Sequence, residues 1–278
     1  MGEIIDIPKV PTGSPEEVIE SLAPDYLDFL DTETPVTSDD SLLGAQARRV
    51  AQELHTAVYL KMGYITEADL NENRVFIDKY ADRSTYVVSG GKARLSACRY
   101  INANEDGAIT SLPTIENFVV DLSILENVAQ IDSLSDISYK EVVEVSGLVS
   151  VSLGREEGGN RGEYDATQLM YAAILRESLE RGHKIWILNT KPHLLRAFTA
   201  LVGGEQVHII GAPQQYMHIT TVPAAMSPTR VIEAAMCDQS PYGPIKRTHL
   251  IRAMQGADST NMAQEMQLLL KQHGVVFR

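Results

Sequence analysis

Hydrophobic positions change their period several times along the chain, and each change marks the start of a different element. Between residues 42 and 64, Leu43, Val50, Leu54 and Val58 recur at helical spacing and predict a long amphipathic helix. Upstream, Ser14-Pro15-Glu16-Glu17 has capping-box spacing with proline at the first helical position, and Val18, Leu22, Tyr26 and Leu27 continue it as a short docked helix. Residues 32–40 read as a linker and residues 65–82 as a loop with some helix. The period then falls to two on either side of Ser89-Gly90-Gly91, which predicts a hairpin of residues 85–88 and 92–101. Residues 113–120 read as extended, a mixed acidic helical pattern follows, and residues 141–151 form a strand. Next come a glycine-rich turn, a helix, a strand at 184–189, a helix from Pro192 and a second hairpin of residues 207–211 and 216–222. Three helices, 229–236, 244–254 and 261–273, end the chain, the last closed by Gly274. No repeat of fixed period is present. The predicted fold class is α/β: a mixed, twisted sheet flanked by helices. It divides into an acidic helical arm (1–40), the α/β domain (41–226) and a helical C-terminal appendage (227–278), which could complete the core, cap a pocket or form a dimer contact.

The stretch around the 141–151 strand is where chemistry concentrates. Simple alternation puts Val143, Val145, Gly147, Val149 and Val151 on one face and Glu144, Ser146 and Ser150 on the other. Glu144 then takes a proton if its face lines a cleft and is an ordinary solvated carboxylate if it faces water. The turn after the strand carries Gly158, Gly159, Asn160, Arg161 and Gly162. Its glycines let backbone N–H groups converge, and the helix start beyond adds free donors, so a pyrophosphate or phosphopantetheine arm fits there. Arg155 and Arg161 either pair with phosphates or belong to a solvated loop with Glu156, Glu157 and Glu163.

Competing motifs fail on specific residues. Gly154 and Gly159 have the spacing of a nucleotide-binding P-loop, but Asn160-Arg161 stands where Lys and Ser or Thr are required. No Gly-x-Ser-x-Gly elbow occurs. His193, His208 and His218 lack metal-ligand spacing, so no metal is expected. Cys98 and Cys237 belong to no paired motif and read as free thiols of a reducing compartment.

Composition narrows the partners. With 278 residues and 44% hydrophobic content the chain can bury a full core. The absence of a membrane-length apolar run or a signal-type N-terminus predicts a cytoplasmic protein without a transmembrane segment. The net charge of −13 is concentrated in residues 1–40, which hold eleven acidic residues against Lys9, leaving 23 basic and 26 acidic residues beyond. That balance disfavours a nucleic-acid partner but permits an anionic cofactor on the body. Lys92, Arg94, Arg99, Arg155 and Arg161 are the candidates for a basic patch that an acidic partner would need.

Strand, phosphate-cradling turn, helix, strand and then Lys191-Pro192-His193 opening another helix resemble the GCN5-related N-acyltransferase (GNAT) fold. Two further stretches are similar to its branch of acyl-homoserine-lactone synthases and N-acyl amino acid synthases. These are residues 78–88 (DKYADRSTYVV) and Glu144-Val145-Ser146-Gly147-Leu148, which resembles a Glu-Ile-Ser-Arg-Leu strand. The likeness spans roughly residues 45–225. It implies transfer of an acyl group, fatty in that branch, from a thioester of coenzyme A or acyl carrier protein to a small-molecule amine such as an amino acid, with no metal. Short-chain transfer from acetyl-CoA and a non-enzymatic ligand-binding or assembly role are the alternatives, and a homodimer is possible. Carried over residue by residue, Glu144 is the base with Ser146 beside it. Leu148, Val149 and Val151 present backbone to the thioester, Gly158 to Gly162 hold the phosphates, and Tyr80, Asp82 and Phe198 face the acceptor. Two positions depart from the pattern: Gly147 stands where an arginine is usual, and Phe198 where a proton-donating tyrosine is common.

Overall fold

The computed structural model describes residues 36–38, 41–90, 94–104, 109–152 and 161–278. Its strands are β1 (Val36–Thr37), β2 (Ser84–Gly90), β3 (Arg94–Asn102), β4 (Val142–Ser152), β5 (Ile185–Thr190), β6 (His208–Ile209), β7 (Gln214–Tyr216) and β8 (Ile219–Met226). They form one sheet in the order β1-β2-β3-β4-β5-β8-β6, with β7 also paired to β8. Every pairing is antiparallel except β4 with β5. That parallel pair is joined by the crossover helix α4 (Arg161–Glu180), as parallel neighbours require.

Alternating residues sort onto two faces. On one face α1 (Leu42–Lys61) covers Tyr86, Val88, Leu95, Ala97 and Val149, and its neighbours α2 (Pro113–Asn117) and α3 (Ser123–Ala129) belong to the layer over Val142, Ile185, Ile187 and Ala225. The other face carries Val87, Cys98, Tyr100, Val143, Trp186 and Leu188 under α4, α5 (Pro192–Val202), α6 (Pro228–Cys237), α7 (Gly243–Met254) and α8 (Gln264–Gln272). The helices after Ser227 supply Val231, Ile232, Met236, Leu250, Met254, Met266 and Leu270 to that core, so they are packed against the sheet's own residues.

The predicted α/β class, the first hairpin and the helices expected from 42, 192, 229 and 244 are present, the last two starting one residue earlier, and the helix expected from 261 starts at Gln264. Four expectations are corrected. Residues 36–38, read as linker, add a strand to β2, where Ser38 and Tyr86 exchange hydrogen bonds of 2.7 Å. Residues 113–117 are helical, because Pro113 at the first helical position fits a helix start better than a strand. The tight second hairpin joins β7 to β8 through Met217 and His218, both with positive φ as such a turn requires. The fourth lies in β4 and shapes the site. The proposed N-terminal helix falls outside the described residues, and no described helix is long and apolar enough to cross a membrane.

Candidate functional site

β4 does not alternate uniformly. Ala97 pairs with Val149 but Arg99 pairs with Ser146, so Gly147 and Leu148 together stand opposite Cys98. This is a β-bulge, and Gly147 takes the left-handed backbone (φ 62°) that the bulge demands. Its consequence is a change of face. Val143 packs under α4, while Val149, expected on the same face, packs under α1.

The bulge coincides with a split in the sheet. β4 and β5 pair only from Val142↔Ile185 to Val145↔Leu188, although β4 runs on to Ser152 and β5 to Thr190. Among the described residues, β4 beyond Val145 is paired on its β3 side alone, which leaves backbone donors and acceptors along its other edge. Ser146 and Ser150 are half-buried there and Leu148 is exposed. Val151 lies in the strand. Gly158, Gly159 and Asn160 lie outside the described residues, as does Arg155, and Arg161 and Gly162 form the first residues of α4 and not a turn before it.

Glu144 sits one residue before the last paired position and is 3% exposed, so it is not an ordinary solvated carboxylate. The backbone N–H of Thr114 donates to its Oε2 at 2.7 Å. That amide is free because it lies in the first turn of α2, where no carbonyl precedes it to accept. Burial raises the Glu144 carboxyl to about 7, against the opposing pull of Thr114 hydrogen bonding and of the Arg99 and Arg83 charges. Tyr216 lies close enough for the Glu144 charge to act on it. Burial first and that charge second push its phenol up, so it stays protonated.

The Thr114 segment is held over the sheet by Arg83, whose Nη1 donates to Asn102 O (3.1 Å), Asn104 Oδ1 (2.9 Å) and Ser111 Oγ (3.0 Å). Tyr80 is buried and donates to Glu116 Oε2 at 2.7 Å, while Lys79 Nζ binds the other oxygen at 2.5 Å. Tyr80 therefore ties α2 to the loop before β2. Asp82 is exposed and joins none of this.

Three further side chains lie on the same side as Glu144, two that sequence reasoning missed and Arg99, to which it gave a different role. Asp78 accepts two hydrogen bonds from the Arg99 guanidinium, one of 3.0 Å to Oδ1 and a shorter one to Oδ2. Burial opposes the Arg99 charge, but Asp78 outweighs it and keeps the group protonated. Arg99 is only 9% exposed, so it cannot serve the surface docking patch expected of it. An arginine flanked by Ala97, Cys98, Tyr100 and Ile101 was itself the available signal, since such a residue needs a buried acid. The third is His55 of α1, 5% exposed and stacked on Tyr59 with ring centroids 5.9 Å apart. Burial, then the Arg99 charge, lower it to about 3, so it is neutral. Its ring explains Gly147: a Cβ at that position would lie 2.8 Å from both Cε1 and Nε2 of His55. A helix residue fills the space that a side chain on the bulge would need.

Phe198 is elsewhere. Its ring lies 5.1 Å from that of Tyr171 and lines an apolar cavity of roughly 60 Å³ with Trp186, Val231 and Leu250, on the opposite face from Glu144. Among the described residues no three His, Cys, Asp or Glu side chains are placed to hold a metal ion. Both cysteines are free, Cys98 buried and Cys237 exposed.

No protein-family model and no curated protein sequence matches the chain. Among solved structures it is similar to MesI, a CoA-dependent acyl-homoserine lactone synthase, at 11% identity over 73% of this chain and 92% of that one, with a TM-score of 0.49. BjaI, a CoA-dependent acyl-homoserine lactone synthase in complex with SAM and isopentyl-CoA, matches at 13% identity over 72% and 86%, TM-score 0.48. FeeM, an N-acyl amino acid synthase from uncultured soil microbes, matches at 13% identity over 76% and 99%, TM-score 0.43. These are the groups that the sequence motifs resemble, and they have a GNAT-like fold.

Proposed function

We propose that the protein is an N-acyltransferase that moves an acyl group from a coenzyme A or acyl-carrier-protein thioester to a primary amine, with Glu144 as general base. The observation that carries this reading is a carboxyl titrating near neutrality, buried beside the point where two parallel strands separate. A base works best when its pKa lies near the working pH. The split offers an extended edge of β4, from Ser146 to Ser152, on which the amides of a pantetheine arm can hydrogen-bond as an added strand would. A donor seated there brings its thioester carbonyl to the bulge.

The acceptor arrives as an ammonium ion. Glu144, ionised, removes one proton, directly or through a water, and the freed nitrogen attacks the thioester carbonyl carbon. The C–N bond forms as the C–S bond breaks, and the nitrogen's remaining surplus proton passes, directly or through water, to the departing thiolate, which leaves as the thiol. Phe198 has no proton to give and faces the other way. Tyr216, kept protonated by burial and the Glu144 charge, holds its proton too firmly to supply it.

The test is turnover with purified protein. Incubation with medium-chain acyl-CoA, or the same acyl group on carrier protein, and a panel of amines should yield an N-acylated product by mass spectrometry. Glu144→Gln should slow its formation about 10²-fold or more while leaving the fold intact. No product with either donor would overturn the proposal, and full activity in the variant would remove Glu144 as base.

A further inference from the structure

The Thr114 N–H that holds Glu144 is fixed from two sides, and Arg83 takes part in both. Thr114 lies three residues after Ser111. Arg83 grips Ser111 twice, Nη2 donating to its carbonyl and Nη1 to its Oγ, while Nη1 also reaches Asn102 O and Asn104 Oδ1. The grip is returned: Asn102 Nδ2 donates to Arg83 O at 3.2 Å, and the Asn104 N–H donates to Ser111 Oγ at 2.9 Å. Beyond Thr114, the Tyr80 hydroxyl holds Glu116, and the Arg83 guanidinium lies 5.0 Å from the Tyr80 ring centroid. A guanidinium suits this role because it offers several donors in one fixed plane, which a lysine ammonium does not. The Arg83 charge also acts on Glu144, in the same sense as the larger effect of Arg99. Leu112 and Thr114 are fully buried, whereas Arg83 and Ser111 are half-buried and can be altered without opening the core.

We propose that Arg83 is a positioning residue for the general base: its fork fixes the 102–111 segment, and through it the Thr114 amide, against the Glu144 carboxylate. This deepens the acyl-transfer reading above and rests on it. The effect of Arg83 on the reaction runs through the charge state of Glu144. An N–H donor and a cation both favour the ionised carboxylate, so freeing Thr114 and removing the charge each raise the pH at which Glu144 becomes a base. The groups around Glu144 leave that change visible. Arg99 of β3, paired with Asp78, keeps its charge, His55 of α1 is neutral, and Tyr216 of β7 is protonated. On α2 and the loop before β2, Glu116 is held below its usual range, chiefly by Lys79, and Tyr80 above its own, chiefly by burial.

The experiment compares wild type, Arg83→Gln, Arg83→Lys and Ser111→Ala, each with and without Glu144→Gln, using medium-chain acyl-CoA and leucine. Arg83→Gln should move the acid limb of kcat/KM up by about one pH unit, since a hydrogen bond to a charged group is of that order. Relative to wild type at the same pH, activity should fall about fivefold at pH 7 and be largely recovered at pH 9, with KM for acyl-CoA unchanged. Damage to the fold would not be repaired by raising the pH. Arg83→Lys keeps the charge but loses the fork, and should behave like Arg83→Gln. Ser111→Ala removes one acceptor and should move the limb the same way by less. The titration of Glu144 is also read without substrate, from the infrared carboxyl band that Glu144→Gln abolishes, and should move with the limb. A band that moves in Arg83→Gln and Arg83→Lys, with no product from any protein, would support the positioning role and count against acyl transfer. A limb and band left in place by Arg83→Gln would overturn the inference. So would their full return in Arg83→Lys, because charge alone would then suffice.

Discussion

At the scale of single residues, Glu144 sets its proposed function against stability. Its carboxyl is raised to about 7 by burial, above the 4.5 of a free glutamate. A group with a raised folded pKa favours the folded state below its unfolded pKa, and that contribution is lost as pH rises through the folded value. For Glu144 the window runs from about 4.5 to 7, and the loss is about 3 kcal/mol. His55 and His183 act in the opposite sense: burial lowers both to about 3, so they destabilise the fold as pH falls below 6.5. Comparing wild type with Glu144→Gln at each pH cancels the histidines. The variant should gain about 3 kcal/mol relative to wild type between pH 4 and pH 8 in urea unfolding. A difference that does not change with pH would show that Glu144 titrates normally. None of this is visible in the sequence, where a glutamate between valines reads as the polar member of a half-buried strand.

At the scale of elements, the decisive feature is the bulge. Strand existence and direction follow from valine and serine alternation, but an inserted residue does not register when the residues beyond it are again valine and serine. The sequence therefore read Val143 through Val151 as one face, and the structure divides them between two. Gly147 was noticed as a departure from a family pattern, yet its reason lies ninety-two residues earlier in the chain, in His55. Gly147→Ala should then cost roughly 2–3 kcal/mol, part from positive φ and part from the collision with the imidazole. In a His55→Ala background the collision disappears and about 1 kcal/mol should remain. Denaturant unfolding of the four proteins reads the coupling directly. Equal losses in both backgrounds would mean that His55 does not fill the bulge. The helix at Pro113 was legible from proline's preference for the first helical turn, and its misreading hid the Thr114 amide that holds Glu144.

At the scale of the whole molecule, the sheet places its two functional requirements on one side of one strand pair. β4 and β5 are parallel, joined by α4, and held together only through Val145 and Leu188. The proposed donor lies in the opening beyond, and the charge of Arg99 acts on Glu144, His55 and Tyr216 beside it. Order of elements and helical layers could be read from hydrophobic period. The Asp78–Arg99 pair and the His55–Gly147 contact could not, since each joins residues brought together only by the sheet. Of the roles the sequence left open for the helices after residue 227, completing the core fits the burial of Leu250, Met254 and Leu270 beside Trp186. The account's central claim is that Glu144, ionising near neutrality in this setting, is the base for amine acylation. The direct measurement is the pH dependence of kcat/KM for N-acyl product formation from acyl-CoA and leucine, in wild type and Glu144→Gln. Wild-type activity should rise through about pH 7 to a plateau, and the variant should lie about 10²-fold lower with that limb gone. A wild-type profile without an inflection between pH 6 and 8, or the same inflection in the variant, would contradict it.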